Sequence, residues 1–141
     1  MTPTPNARRL RRDFFVYAVN FLSLTAGSAR STSIQIQADS DFELQKLSVF
    51  ADILAAQQTA STRVLPLVTI QITDTGTGRQ LFNQPVAVPA LFGDGQIPFI
   101  LPTTKVFSRN ASVTFDVVNF AAGTDYNLRL NLIGSKIFEY S

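Results

Sequence analysis

Apolar and polar residues alternate one by one along much of this chain, and this period of two is the feature that most constrains its fold. The alternation is clearest over residues 33–38, 68–73, 112–118 and 126–133. A β-strand with this pattern has one apolar face and one polar face, whereas an amphipathic helix repeats about every 3.6 residues. Each strand then has an apolar face to bury, which favours two sheets packed face to face.

Turn residues and irregularities divide the chain into roughly eight strands with no long helix. The segment Asp74–Gly78 is typical of a hairpin turn, and a slip in the alternation within residues 42–53 predicts a β-bulge. The long connections at 54–63 and 83–96 fit Greek-key crossings better than a meander. We therefore predict an all-β, antiparallel two-sheet sandwich with jelly-roll topology. An immunoglobulin-like sandwich is the alternative, but its Cys…Trp…Cys pattern is missing.

The composition argues against catalysis. The 141 residues form one domain and include no His, no Cys and no Trp. Lack of His removes the usual general base at neutral pH and the commonest metal ligand. Lack of Cys removes thiol nucleophiles, zinc–thiolate sites and disulfides. We predict that the chain is not an enzyme and that it holds no cofactor and no metal.

The low charge content leaves two interpretations of the surface. Charged residues make up 16% of the chain, against about 25% in average soluble domains. Twelve phenylalanines add to the apolar content of the chain. One interpretation is a compact β-domain covered by Ser, Thr, Asn and Gln. The other is that part of the surface is buried against other subunits, and composition favours neither.

The basic charge is concentrated in one short block near the start. Four of the twelve basic residues lie within it, and the remaining eight face ten acidic residues, so the body is mildly acidic. The block consists of Arg8, Arg9, Arg11 and Arg12. Pro3 and Pro5 precede it and suit an extended segment. We predict two parts, an extended basic N-terminal arm (1–13) and a β-sandwich domain (14–141). The four arginines are the candidate partner-binding residues, because guanidinium groups bind carboxylates.

The N-terminal region is open to three other interpretations. The basic block, the apolar run 14–24 and the small residues 26–29 resemble an export signal, but Asn20 and Ser23 interrupt the run. A membrane-surface helix is also compatible with some spacings, yet the β-forming residues favour a strand. Nucleic-acid binding by the arginines has no support from a basic face on the body. We predict no membrane contact and no direct nucleic-acid contact.

Two further side-chain groups are candidates for ion binding or pairing. Asp39, Asp41 and Glu43 alternate at a strand start, so they would share one face and could bind calcium, although solvated carboxylates are the more ordinary interpretation. Asp116 and Arg129 lie at matching polar positions of two strands. We expect them to form a cross-strand ion pair.

Two stretches in the C-terminal half resemble small structural proteins of tailed phages. The residues that carry the resemblance are Ile97–Pro102, Lys105–Phe107, Asn110, Val113–Phe115 and Tyr126–Phe138. With its length and its proline-containing start, the chain resembles the jelly-roll cement (decoration) proteins, which sit outside the capsid shell.

The resemblance implies a structural role. It implies a virion protein on the outer surface of the capsid that stabilises contacts between major capsid proteins, and a homodimer within a larger icosahedral assembly. It carries over no catalytic residue. Two alternatives stay open, namely a phage collar, tail or head-fibre protein with the same fold, and a carbohydrate-binding β-sandwich. The lack of Trp argues against the latter, since sugars stack on aromatic faces.

Overall fold

Two antiparallel β-sheets pack as a sandwich in the computed structural model, which describes residues 9–53, 65–94 and 96–140. The predicted all-β sandwich is therefore confirmed. The strands are β1 (Arg9–Leu24), β2 (Ala29–Gln35), β3 (Asp41–Ile53), β4 (Val68–Asp74), β5 (Arg79–Gln80), β6 (Val86–Ala87), β7 (Phe99–Phe107), β8 (Ser112–Asn119) and β9 (Tyr126–Tyr140). A four-residue helix, α1 (Val88–Leu91), follows β6. No helix within these ranges has the length and apolar character needed to cross a membrane.

The chain passes repeatedly from one sheet to the other. The first sheet runs β1-β9-β3-β7, and the second runs β2-β8-β4-β5, with β6 also pairing with β4. Most consecutive strands cross from one sheet to the other, and the last strand pairs with the first. This order is expected of two nested Greek keys, so it supports the predicted jelly-roll topology.

The core lies between the two sheets and is built from the apolar positions of the alternating strands. Large side chains from both sheets are fully buried there, and the central strand β9 contributes three leucines in alternate positions. These residues are Phe21, Phe42, Phe107, Phe115, Leu128, Leu130 and Leu132. Burial of such side chains contributes about 1.5–3 kcal/mol each, which makes this layer the main source of stability.

The bulge predicted within residues 42–53 is confirmed in β3. In the pairing with β9 the register shifts between Leu44 and Lys46, which leaves Gln45 as the extra residue. In the pairing with β7 the partner jumps from Lys105 to Ile100 at the same point. Gly134 lies opposite Leu44 at this point. A Cβ atom on Gly134 would overlap the backbone carbonyl oxygen of Glu43, so only glycine allows the two strands to approach here.

The predicted turn at Asp74–Gly78 agrees with the structure, whereas the predicted strands at 99–107 do not. The hairpin turn at Asp74–Gly78 is confirmed between β4 and β5. Residues 99–101 and 105–107 were expected as two strands, but they belong to the single edge strand β7, which accommodates Pro102. The predicted loop at 54–63 lies outside the described residues.

The first strand begins earlier than predicted. It starts at Arg9 rather than Phe14, and Arg9 to Asp13 pair with Tyr140 to Lys136 of β9. The sandwich therefore extends over five residues that were assigned to the arm, because pairing with β9 outweighs the polar composition. Residues 1–8 lie outside the described part of the chain, so the arm remains a prediction there.

The expected ion pair between Asp116 and Arg129 is wrong. Asp116 lies in the second sheet opposite Ser31, whereas Arg129 lies in the first sheet opposite Asn20. Both side chains are exposed, on the outer faces of different sheets. Matching polarity identifies the solvent face of a strand but does not identify its neighbours.

Candidate docking surface

The outer face of the second sheet is made mainly of small hydroxyl side chains. Those on β2, β8 and β4 are Ser31, Ser33, Ser112, Thr114, Thr69 and Thr73. The hydroxyls of Ser33 and Thr114 lie 2.9 Å apart, within hydrogen-bonding distance. A face of this kind is well solvated and has no need of a protein partner.

The outer face of the first sheet is different, because apolar side chains are grouped there. We call this group the outer patch, and it consists of Phe14, Val16, Ile100, Val106, Ile133 and Ile137. The pairing register places Val16 beside Ile133, with Lys46 and Ile100 continuing the same row across the sheet. The exposed fractions are 76% for Phe14, 65% for Ile100 and 45% for Val106. Grouped exposure of this kind is typical of interaction surfaces.

The charges within the outer face are balanced by internal pairs. Arg12 on β1 reaches across the sheet and forms an ion pair with Glu43 on β3. Glu43 also accepts hydrogen bonds from Gln45 Nε2 at 3.0 Å and from Thr104 Oγ1 at 3.2 Å. These contacts fix the Glu43 carboxylate beside the outer patch and neutralise its charge, so the patch itself stays suited to an apolar partner.

The structure separates the predicted arginines. Arg8 lies outside the described residues, and Arg9 enters β1. Arg12 lies on the outer face of the first sheet, whereas Arg11 points the other way, because neighbouring residues of a strand face opposite sides. Arg11 Nη2 lies 3.0 Å from a carboxylate oxygen of Asp13, and its guanidinium lies 5.1 Å from the ring centre of Phe138. The side chains of Arg11 and Arg12 remain 62% and 52% exposed.

The proposed calcium carboxylates do not converge. Each of the three contacts a different cation. The pairs are Asp39 with Lys136, Asp41 with Arg109 and Glu43 with Arg12. Residues 9–53, 65–94 and 96–140 contain no group of three or more side chains arranged to hold a metal ion. The three acids therefore act as separate ion-pair partners.

Lys136 forms a buried polar contact at one end of the core. Only 7% of this residue is exposed, and its Nζ donates to Gln37 Oε1 and lies 3.2 Å from Asp39 Oδ2. The same ammonium group lies 4.2 Å from the ring centre of Phe15, a cation–π contact. Desolvation raises the pKa of Asp39, but the hydrogen bond and charge of Lys136 outweigh it, so this pKa lies below its ordinary value of 3.8.

We expect Asp39→Asn to lower the thermal midpoint at neutral pH, because Lys136 loses its charged partner. Since the folded-state pKa of Asp39 is depressed, its contribution is complete above pH 3.8 and is lost as the pH falls through the lowered value. The midpoints of wild type and variant should therefore converge in acid. Thermal unfolding followed by circular dichroism over this pH range tests it. Asp116→Asn, an exposed carboxylate of the second sheet, is the control, and an equal effect of both variants would contradict the prediction.

The outer patch is a candidate that sequence reasoning missed. Its residues on β1 and β9 stand at positions that alternation assigns to solvent. The signal was present, because residues 14–19 are apolar on both faces of the strand. An open apolar groove lined by Phe92, Ile97, Pro98 and Phe99 adjoins Ile100 and extends this surface beyond β7.

Comparison with known proteins assigns this chain to no family. No protein-family model matches the chain, and no curated protein matches it. Among solved structures, a chain of the cyanophage Pam1 capsid asymmetric unit is similar, with a TM-score of 0.40 and 15% sequence identity. The alignment covers 96% of this chain and 90% of that chain. At this TM-score and identity, the likeness is too distant to assign a function.

Proposed function

We propose that this chain is a structural virion protein, a cement (decoration) protein on the outer surface of a phage capsid shell. The observation that carries the proposal is the contrast between the two outer faces of the sandwich. One face groups several exposed large apolar side chains, whereas on the other such exposure is limited to Val118 among mainly small hydroxyl side chains of the described strands β2, β8 and β4. A protein seated on a shell needs one face to bury and one face that stays in water. The C-terminal stretches resemble cement proteins, among them that of a Bordetella phage.

The outer patch supplies the contact with the shell. Phe14 and Ile100 are large apolar side chains that project from a rigid sheet, so little conformational entropy is lost when they enter a partner's pockets. The proposed partners are neighbouring major capsid proteins. A rigid block seated across their joint adds buried surface there and opposes separation of the shell subunits. Repeated copies over the head combine modest contacts into a strong overall attachment.

The arginine block guides this attachment. Arg8, Arg9, Arg11 and Arg12 concentrate positive charge within five residues of the sequence, which complements an acidic shell surface. Charge of this kind raises the association rate and makes binding sensitive to salt. The proposed assembly is a homodimer within an icosahedral particle, without contact to the packaged nucleic acid or to a membrane.

Phage heads assembled without this chain provide the test. We expect purified protein to bind many sites over all faces of the outer surface, to raise the temperature at which the heads rupture, and to bind less tightly as salt increases. Electron cryomicroscopy of the heads before and after addition measures location and occupancy. Density confined to one vertex or to the tail would contradict the proposal and would support a collar, tail or head-fibre protein.

A further inference from the structure

The outer edge of β1 is long and open. One edge of this 16-residue strand pairs with β9, and no strand in the described part of the chain pairs with the other. A strand of this length runs for about 50 Å. Its free edge presents a row of backbone N–H and C=O groups, which is a template for pairing with another chain.

Each of the other sheet edges in the described ranges has a feature that discourages pairing. The edge strands β5 and β6 have two residues each. The edge strand β7 contains Pro102, which has no N–H to donate, and Lys105. The remaining edge, β2, has seven residues, which is less than half the length of β1.

β1 contains neither proline nor lysine, and a side-chain contact that blocks its edge lies near its end. There, the register shifts between Phe21 and Leu24. The Arg30 guanidinium donates to the carbonyl oxygens of Leu22 and Ser23, at 2.6 and 3.1 Å. Between Phe14 and Phe21 this edge contains no proline and no charged side chain, so we expect it to have a partner in the assembled protein.

We propose that this edge pairs with β1 of a second copy, antiparallel about a two-fold axis at Val16. The two four-stranded first sheets would then form one continuous sheet. The inference rests on the proposed function, because it specifies how the homodimer is built.

The side chains of β1 are self-complementary in this register. On the outer face, Phe14 lies beside Ala18 of the second copy, a large residue beside a small one, and the two Val16 residues lie beside each other. Apolar side chains that stand alone on one molecule thus gain apolar neighbours across the axis.

The charges of β1 also favour this register. Arg12 lies opposite Asn20 of the second copy and Arg11 lies opposite Phe21, so no arginine faces another. A two-fold axis at Arg12 would place the two Arg12 side chains against each other, which is unfavourable. An axis at Tyr17 avoids that contact, but it places Phe14 beside Asn20 and Arg12 beside Leu22.

The pairing has a direct consequence for docking. A two-fold axis perpendicular to the sheet places both outer patches on the same side, with Phe14 of each copy near the axis. The dimer therefore presents one continuous docking face of twice the width. This arrangement also accounts for apolar residues that continue up to the free edge of β1.

Cysteine cross-linking tests the register, because the native chain contains no cysteine. Val16→Cys places two thiols together at the axis, where directly opposite Cβ atoms lie about 4.5–5.5 Å apart, close to the separation in a disulfide. We expect a covalent dimer on mild oxidation. Phe50→Cys is the matched control, because Phe50 is also exposed (58%) on the outer face but belongs to β3. A mixture of Phe14→Cys and Ala18→Cys chains should cross-link with each other rather than with themselves.

Sedimentation in solution gives an independent readout. The native chain should sediment as a dimer, and Val16→Lys should weaken the dimer by more than about tenfold, because two charges meet at the axis. Unchanged circular dichroism would show that the variant folds. Cross-linking of Phe50→Cys as readily as Val16→Cys, or an unaffected Val16→Lys dimer, would overturn the inference. A chain that coats heads but does not cross-link through Val16 overturns this inference alone, whereas a cross-linked dimer that does not bind heads overturns the proposed function.

Discussion

Replacing Gly134 with alanine will destabilise the folded chain by about 3 kcal/mol or more. The added Cβ would overlap the carbonyl oxygen of Glu43, and it would lie 2.9 Å from the carbonyl carbon of Glu43 and 3.1 Å from Cζ of Phe42. Glu43 adjoins the β3 bulge, so its backbone is held by pairing with β7 and β9 and cannot turn away. Either the central pairing of the first sheet opens or the buried Phe42 ring moves, and both reduce stability.

Thermal or urea unfolding followed by circular dichroism measures this effect. A loss of this size corresponds to a fall of roughly 10 °C in the midpoint for a domain of this length. Gly123→Ala is the matched control, because a Cβ atom at this exposed turn position has no neighbour within 4 Å. We expect that variant to stay within about 0.5 kcal/mol of wild type. Equal stabilities of the two variants would show that the close approach at Gly134 is not required.

Local patterns predicted most of the strands and little of their pairing. Alternation over residues 112–118 and 126–133 located β8 and β9, and the phase slip in 42–53 located the bulge. The same patterns failed for Asp116 and Arg129, which lie on different sheets. Period two identifies which side of a strand is apolar, but pairing depends on distant segments. For the same reason, the start of β1 at Arg9 depends on its partner β9 and was not visible locally.

The sequence pattern did not reveal the outer patch, for a related reason. In β1 both alternating sets are apolar, since Phe15 and Tyr17 face the core side while Phe14 and Val16 face outward. Periodicity cannot select the buried set in such a strand. A strand that is apolar on both faces is typical of elements covered on both sides. In this fold the second sheet covers the core-facing side of β1, and the proposed partner covers its outer side.

The largest expected effect on function follows from charging the outer patch at β7. Ile100→Glu with Val106→Glu should weaken binding to phage heads by at least about 100-fold, because two carboxylates would be buried at the contact, one of them opposite Glu43. Both side chains are exposed, at 65% and 45%, so the substitutions should leave the sandwich folded. Both also lie on the strand farthest from β1, so the dimer should persist. Binding is measured with heads that lack this chain, in low salt.

The matched control places the same charges on the opposite face. Ser33→Glu with Ser112→Glu alters exposed positions on the outer face of the second sheet. If only the first sheet contacts the shell, this variant binds almost as well as wild type. Circular dichroism and sedimentation of both variants exclude unfolding and loss of the dimer as causes. Equal weakening by the two pairs would mean that overall charge governs attachment, and weakening by the serine pair alone would assign docking to the hydroxyl face. If only the Ile100 and Val106 variant loses binding, the apolar face of the first sheet is the face that is buried on the shell.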